Sequence, residues 1–186
     1  MKRVLFVFLN CLLSLVLQAQ TEHMKFMGIP LNGTISAFQV KLQAKGIKYD
    51  AVGSRQLQTG CRCFKGSFSG EKADFYVYYN EKTKVVYRAK AVITCINKEH
   101  CDRVYNSFRD MLKTKYADGI PREGEQDGHP TISIIVPDSK LEKTLGYVEM
   151  YIGNPQYSFM DELYLHIDYR DIANQRVNQS KNMDDL

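Results

Sequence analysis

In the segment 95–116, the apolar residues Cys101, Val104, Tyr105, Phe108, Met111, Leu112 and Tyr116 recur every three or four positions. Asp102, Arg103, Asn106, Arg109, Asp110 and Lys113 fill the places between them. This spacing gathers the apolar side chains on one face of an α-helix. Each large side chain buried there contributes roughly 1.5–3 kcal/mol, so the stripe needs a sheet to lie on. Strand patterns flank it. Residues 62–68 place Phe64, Gly66 and Phe68 on one side. Residues 74–80 alternate Phe75, Val77 and Tyr79 with Tyr76 and Tyr78. Residues 84–95 alternate Val85, Tyr87, Ala89, Ala91 and Ile93 with Val86, Arg88, Lys90, Val92 and Thr94. A period of two over these lengths is a strand signal. Turns at 69–72 and 81–83 join the three into an antiparallel meander, buried on one face and solvated on the other.

Before the meander, Thr34 is an N-cap for a helix over 34–45 whose inner face is Ile35, Phe38 and Leu42. Gly46 is its left-handed stop, and Ile47 makes the hydrophobic contact beyond it. Residues 21–33 are a short edge strand or an extended lead-in, because Pro30 argues against a central strand. Residues 48–60 show no clear period. After the long helix, residues 118–130 hold Gly119, Pro121, Gly124, Gly128 and Pro130 and read as a mobile loop. Residues 131–136, 147–152 and 163–169 are three further strands. The expected fold is α+β: one antiparallel sheet of about six strands with two main helices on one face, in the order helix, three strands, helix, three strands. It forms a single domain over 21–173, with half-repeats of about 21–95 and 96–173. The polar stretch 174–186 reads as a flexible tail.

Residues 1–20 change the setting. Lys2 and Arg3 precede an apolar run to Leu17, and Ala19 offers a small residue for cleavage. This is the pattern of a signal peptide, too short for a comfortable membrane span. The expected location is periplasmic or extracellular, with no membrane insertion once the leader is removed. The formal charge of +4 falls to +2 without Lys2 and Arg3, too little to argue for a nucleic-acid partner. Four of the five cysteines lie beyond the leader, an even number suited to disulfides in an oxidising compartment. Cys95 and Cys101 are the favoured pair, since a tight turn brings the end of a strand to the start of the helix. Cys61 and Cys63 would form a strained pair, and cross-pairing of the two groups is the alternative.

Candidate chemistry is sparse. Gly66–Gly70 has Phe68 where a nucleophile elbow needs serine. No cysteine spacing matches a zinc knuckle, and His129 sits in a charged stretch without a metal-ligand pattern. No cofactor is expected. His166 and Asp168 fall two apart on the outward side of the last strand, an imidazole beside a carboxylate that could do acid–base work. The most suggestive surface is the outward face of the strands: Tyr76, Tyr78, Arg88 and Lys90, extended by Tyr147, Glu149, Tyr164 and His166. Tyrosine and arginine favour interface hot spots.

The opening 25–34, KFMGIPLNGT, with Phe38, Leu42 and the Lys45–Gly46 stop, resembles the start of small exported proteins of Bacteroidetes. The order of elements also resembles the tandem helix-plus-sheet repeat of β-lactamase-inhibitor proteins. The second resemblance implies a sheet face that grips a protein partner. The resulting expectation is a non-catalytic binding module for a protein or peptide of the cell envelope. A small hydrolase using His166 and Asp168, or a structural envelope component, is the alternative.

Overall fold

The computed structural model describes residues 22–153 and 163–183, with side chains described to residue 179. The leader stretch 1–20 lies outside them. A hairpin of β1 (Lys25–Phe26) and β2 (Ile29–Pro30) opens the described chain. Then come α1 (Ile35–Gln43), β3 (Lys48–Asp50), α2 (Ala51–Arg55), β4 (Cys61–Phe68), β5 (Glu71–Tyr79), β6 (Val86–Thr94) and α3 (Lys98–Lys115). The chain continues through β7 (Ile120–Gln126), β8 (His129–Pro137), β9 (Thr144–Gly153), β10 (Tyr164–Asp171) and α4 (Ile172–Met183). The main sheet has eight strands in the order β3-β4-β5-β6-β10-β9-β8-β7, and every neighbouring pair is antiparallel. The first half of the chain lays strands inward from one edge, and the second lays them inward from the other. They meet at the β6–β10 seam, where Lys90 stands opposite Asp168 and Ala91 opposite Ile167.

This corrects the expected order of two helices and about six strands. Four helices, an eight-stranded sheet and a two-stranded sheet stand among the described residues. The added elements have physical reasons for being missed. β3 and α2 are too short to show a period, and α2 is set by its cap, the Asp50 carboxylate accepting from the Val52 and Gly53 N–H groups. β7 is an edge strand whose seven residues are all exposed, so it carries no alternation of burial. Pro121 and Gly124 are tolerated because the edge has no second neighbour. Asp127 and Gly128, both at positive φ, make the tight turn into β8. Helix α4 occupies most of the stretch assigned to a flexible tail.

Helices α1 and α3 begin and end where their cap residues direct. The Thr34 side chain accepts from the Ala37 N–H. Gly46 has φ of 80°, and the Ile47 N–H returns to the Leu42 carbonyl at 3.1 Å. The Asn97 side chain caps α3 by accepting from the His100 N–H at 2.8 Å. Ile35, Phe38 and Leu42 of α1 and Cys101, Val104, Tyr105, Phe108 and Leu112 of α3 share one core with Phe64, Phe75, Ala89, Ile167, Met150 and Ile134. Both helices therefore lie on the same face of the sheet. Met111, assigned to the buried stripe, is 44% exposed. Cys95 and Cys101 are at disulfide distance, joining the end of β6 to the first turn of α3. Cys61 and Cys63 are buried free thiols, which removes both the second bridge and the cross-pairing.

The two ends of the described chain are clasped together. Asp171, fully buried, accepts from the Met24 N–H at 2.9 Å and the Asn174 N–H at 2.9 Å, and lies 3.0 Å from His23 Nδ1. The Asn174 side-chain amide donates to the Leu31 carbonyl at 2.5 Å. Met24 also presses on Gly146. A methyl group at Gly146 would fall inside contact distance of the Arg170 carbonyl oxygen and Met24 Cγ. Gly146→Ala should therefore lower the unfolding free energy by about 1–3 kcal/mol, as overpacking does. Gly33→Ala, whose added carbon meets only Ala37 Cβ at 4.0 Å, should change it by less than about 0.5 kcal/mol. Urea titration of both variants checks the pair.

Candidate functional site: the polar face of the sheet

Directly opposed residues on neighbouring strands share a face. The register aligns Cys63, Tyr76, Lys90, Asp168, Glu149 and Ser133 in one row. A second row holds Cys61, Tyr78, Arg88, Arg170 and Tyr147, and a third holds Lys65, Asp74, Val92, His166, Tyr151 and Thr131. Tyr164 pairs with Thr94 in a fourth. All eight residues expected on a common surface therefore stand on one face, opposite the face that α1 and α3 cover.

The face is not uniformly solvated. Asp168, expected on a solvated surface, has no exposure at all. Its two oxygens accept from Arg88 Nε at 2.9 and 3.0 Å and from Arg88 Nη2 at 2.6 Å. Arg170 adds bonds from Nε at 3.1 Å and Nη2 at 2.9 Å, and its Nη2 also reaches Glu149 at 2.7 Å. Arg88 lies 4.6 Å over the ring of Tyr78. Burial alone would lower the Arg88 guanidinium, but the hydrogen bonds and charge of Asp168 outweigh it and hold it above its ordinary value. Burial also pushes the phenols of Tyr76 and Tyr78 up to about 12, so both remain neutral hydrogen-bonding groups.

His166 is likewise buried rather than exposed, at 8%. Its ring stacks on Tyr151 at 4.7 Å, and Tyr151 receives a 3.0 Å hydrogen bond from Lys90. The buried Nδ1 has no hydrogen-bond partner among the described residues. Burial lowers the imidazole to about 4, and the nearby Lys90 charge adds to the effect. The imidazole is neutral at pH 7, while the neighbouring carboxylate has both oxygens occupied by guanidinium groups. The arrangement suits a fixed polar layer better than proton transfer.

The edges of the face are partly roofed. Near the β3–β4 edge α2 folds over Cys63. The Ser54 hydroxyl accepts from the Cys63 N–H at 2.8 Å, and a carbon added at Gly53 would lie 3.3 Å from Cys63 Sγ. Burial raises the Cys61 and Cys63 thiols to about 12 and about 11, far from the thiolate that reactivity needs. At the end of the sheet Tyr147 lines a small cavity together with Ile172, Gln175 and Arg176 of α4. Towards the β7 edge the face dips into a cavity of about 340 Å³ bordered by Arg122, Gln126, Ser133, Glu149 and Tyr151. Arg122 and Gln126 escaped sequence reasoning because β7 resembled a loop. Among the described residues no three His, Cys, Asp or Glu side chains are placed to hold a metal ion.

Fold and face together define an α+β protein whose antiparallel sheet carries helices α1 and α3 on one side and, on the other, an ion cluster around the buried Asp168. No protein-family model, curated protein or solved structure matches the chain.

The buried imidazole gives the face a pH signature. Folded, His166 takes a proton near pH 4; unfolded, it does so near its ordinary 6.5. Between those values the unfolded chain binds more protons, so acid favours unfolding. His166 costs nothing above pH 6.5, destabilises progressively as pH falls to 4, and adds little change below. Over that window the loss is about 3 kcal/mol. Urea titrations at pH 7 and pH 4 should show the wild type losing about that much more than His166→Gln.

Proposed function

We propose that the protein is an exported, non-catalytic binding module that presents this sheet face to a protein or peptide partner in the cell envelope. The observation that carries the reading is the array of Tyr76, Tyr78, Arg88 and Lys90 on the face free of α1 and α3. Tyrosine and arginine supply much of the binding energy at protein interfaces. Here Arg88 is already held by Asp168 and Tyr78, so little rotamer freedom remains to be lost on association. The cavity beside Glu149 and Tyr151 adds a recess for a partner's side chain. Export is supported by the leader pattern of residues 1–20 and by the Cys95–Cys101 pair. No helix among the described residues is long and apolar enough to cross a membrane. The buried His166 and the saturated Asp168 weigh against the hydrolase alternative.

The test uses Tyr76→Ala and Lys90→Ala, which leave the Asp168 cluster intact. Arg88→Ala would confuse binding with folding, since a buried ion deprived of a partner costs about 3–5 kcal/mol. The partner retained from envelope extract by immobilised wild-type protein should bind the double variant at least about tenfold more weakly. Thermal melting should be preserved, and Arg103→Ala on the solvent side of α3 should bind normally. Undiminished binding by the double variant would rule this face out.

A further inference from the structure

The helix-covered side of the sheet carries a separate site. A cleft of about 300 Å³ lies between the β1–β2 hairpin tip, the β4–β5 turn and the C-terminal half of α3. Its walls are Met27, Phe68, Phe108, Met111, Leu112 and Tyr169, and its polar groups are Ser69 and Lys115. Met111 belongs to the apolar stripe of α3, yet it is 44% exposed: its side chain borders this opening instead of the sheet. Phe68 and Phe108 stack at 5.5 Å and line the opening with apolar carbon.

Lys115 stands where this cleft meets a second cavity of about 710 Å³, bordered by Lys25, Pro30, Tyr116, Val136 and Ser139. The ammonium makes no ion pair among the described residues. It faces the rings of Tyr116 at 5.0 Å and Tyr169 at 5.6 Å. Burial lowers its pKa from the ordinary lysine value. Glu22, which also borders the second cavity, has its carboxylate engaged by the Ser139 N–H and hydroxyl. An ammonium resting on aromatic faces keeps hydrogens free for an acceptor, and a carboxylate is the acceptor that binds it most strongly.

We propose that the cleft binds a free fatty acid, the alkyl chain lying between Met27 and Met111 and the carboxylate meeting Lys115. The charge selects the head group: an apolar cleft that ends at an unpaired cation complements an amphiphile with one negative end. The volume selects the chain, since about 300 Å³ is at the small end of ligand sites and suits a medium-length alkyl group. Two flexible thioethers can adjust to that chain. The site is independent of the polar face, because it lies across the sheet and shares no residue with it.

The experiment is calorimetric titration of the purified protein with decanoate below its micellar concentration. Methionine-methyl NMR locates the bound molecule. Saturable one-to-one binding is expected, with the Met27 and Met111 methyl signals shifting. Decanol, which lacks the charge, should bind at least tenfold more weakly. Lys115→Gln should weaken decanoate about tenfold, leave decanol unchanged and melt as the wild type does. Equal decanoate affinity in Lys115→Gln, or shifts confined to other methionines, would overturn the assignment. So would absence of saturable decanoate binding together with association only to anionic phospholipid vesicles, which would make the site a membrane contact. Displacement of a second copy of the chain, seen as a fall in apparent mass when decanoate is added, would make it a subunit interface instead.

Discussion

The β6–β10 seam constrains everything around it. These strands lie at the middle of the sheet, and their alternating side chains meet two opposite requirements. On one side Ala89, Ala91, Leu165 and Ile167 are wholly buried in the apolar core. On the other, Asp168 is equally buried, a carboxylate removed from water at a cost of several kcal/mol unless its charge is met in place. Arg88 on β6 and Arg170 on β10 meet it. The seam can therefore form in one register only. A slip by one residue would carry Asp168 into the core and Ile167 into the ion cluster.

The last strand also holds a second carboxylate with no exposure, Asp171, three residues further on and turned to the other side. Its charge is met differently. Backbone N–H groups of Met24 and Asn174 donate to it, and His23 lies beside it. The end of β10 thus fixes the start of the described chain and the first turn of α4 together. The strand that closes the sheet locks its polar face through Asp168 and ties the chain ends through Asp171. Placement of β10 accordingly depends on contacts from β6, β9, the N-terminal segment and α4 at once.

Half of this was legible in the sequence. Alternation over 88–94 and the three- and four-residue spacing of α3 were visible because each element has one dry and one wet side; Val86, expected outward, is instead in the core, because the register shifts between Tyr78 and Tyr79. β7 was not, because an edge strand with both sides wet has no period to read, and Pro121 and Gly124 then argue for a loop. α4 was hidden by its polar composition: its anchors are the amides of Asn174 and Asn178, bonded to Leu31 and Asn80, rather than an apolar stripe. The shared face of Tyr76, Tyr78, Arg88, Lys90 and His166 followed from parity alone. Their burial did not. An acid or a histidine at an outward position reads as solvated, and only the pairing of β6 with β10 brings Arg88 and Arg170 over Asp168. The useful sequence signal was the pair of outward arginines, Arg88 and Arg170, at positions flanking the outward Asp168.

The two sides of the sheet also treat their cations differently, and that difference separates a structural charge from an available one. Arg88 turns Nε and Nη2 to Asp168 and rests on Tyr78, so it can offer an incoming group its aromatic-backed edge but not its full charge. Lys115 has rings beneath it and makes no ion pair among the described residues. A charge already neutralised shapes a surface without needing a ligand, whereas one left on aromatic faces beside an apolar cleft gains most from a ligand with an anionic head. The polar face is accordingly suited to recognition by shape and aromatic contact, and the cleft under α3 to recognition by charge.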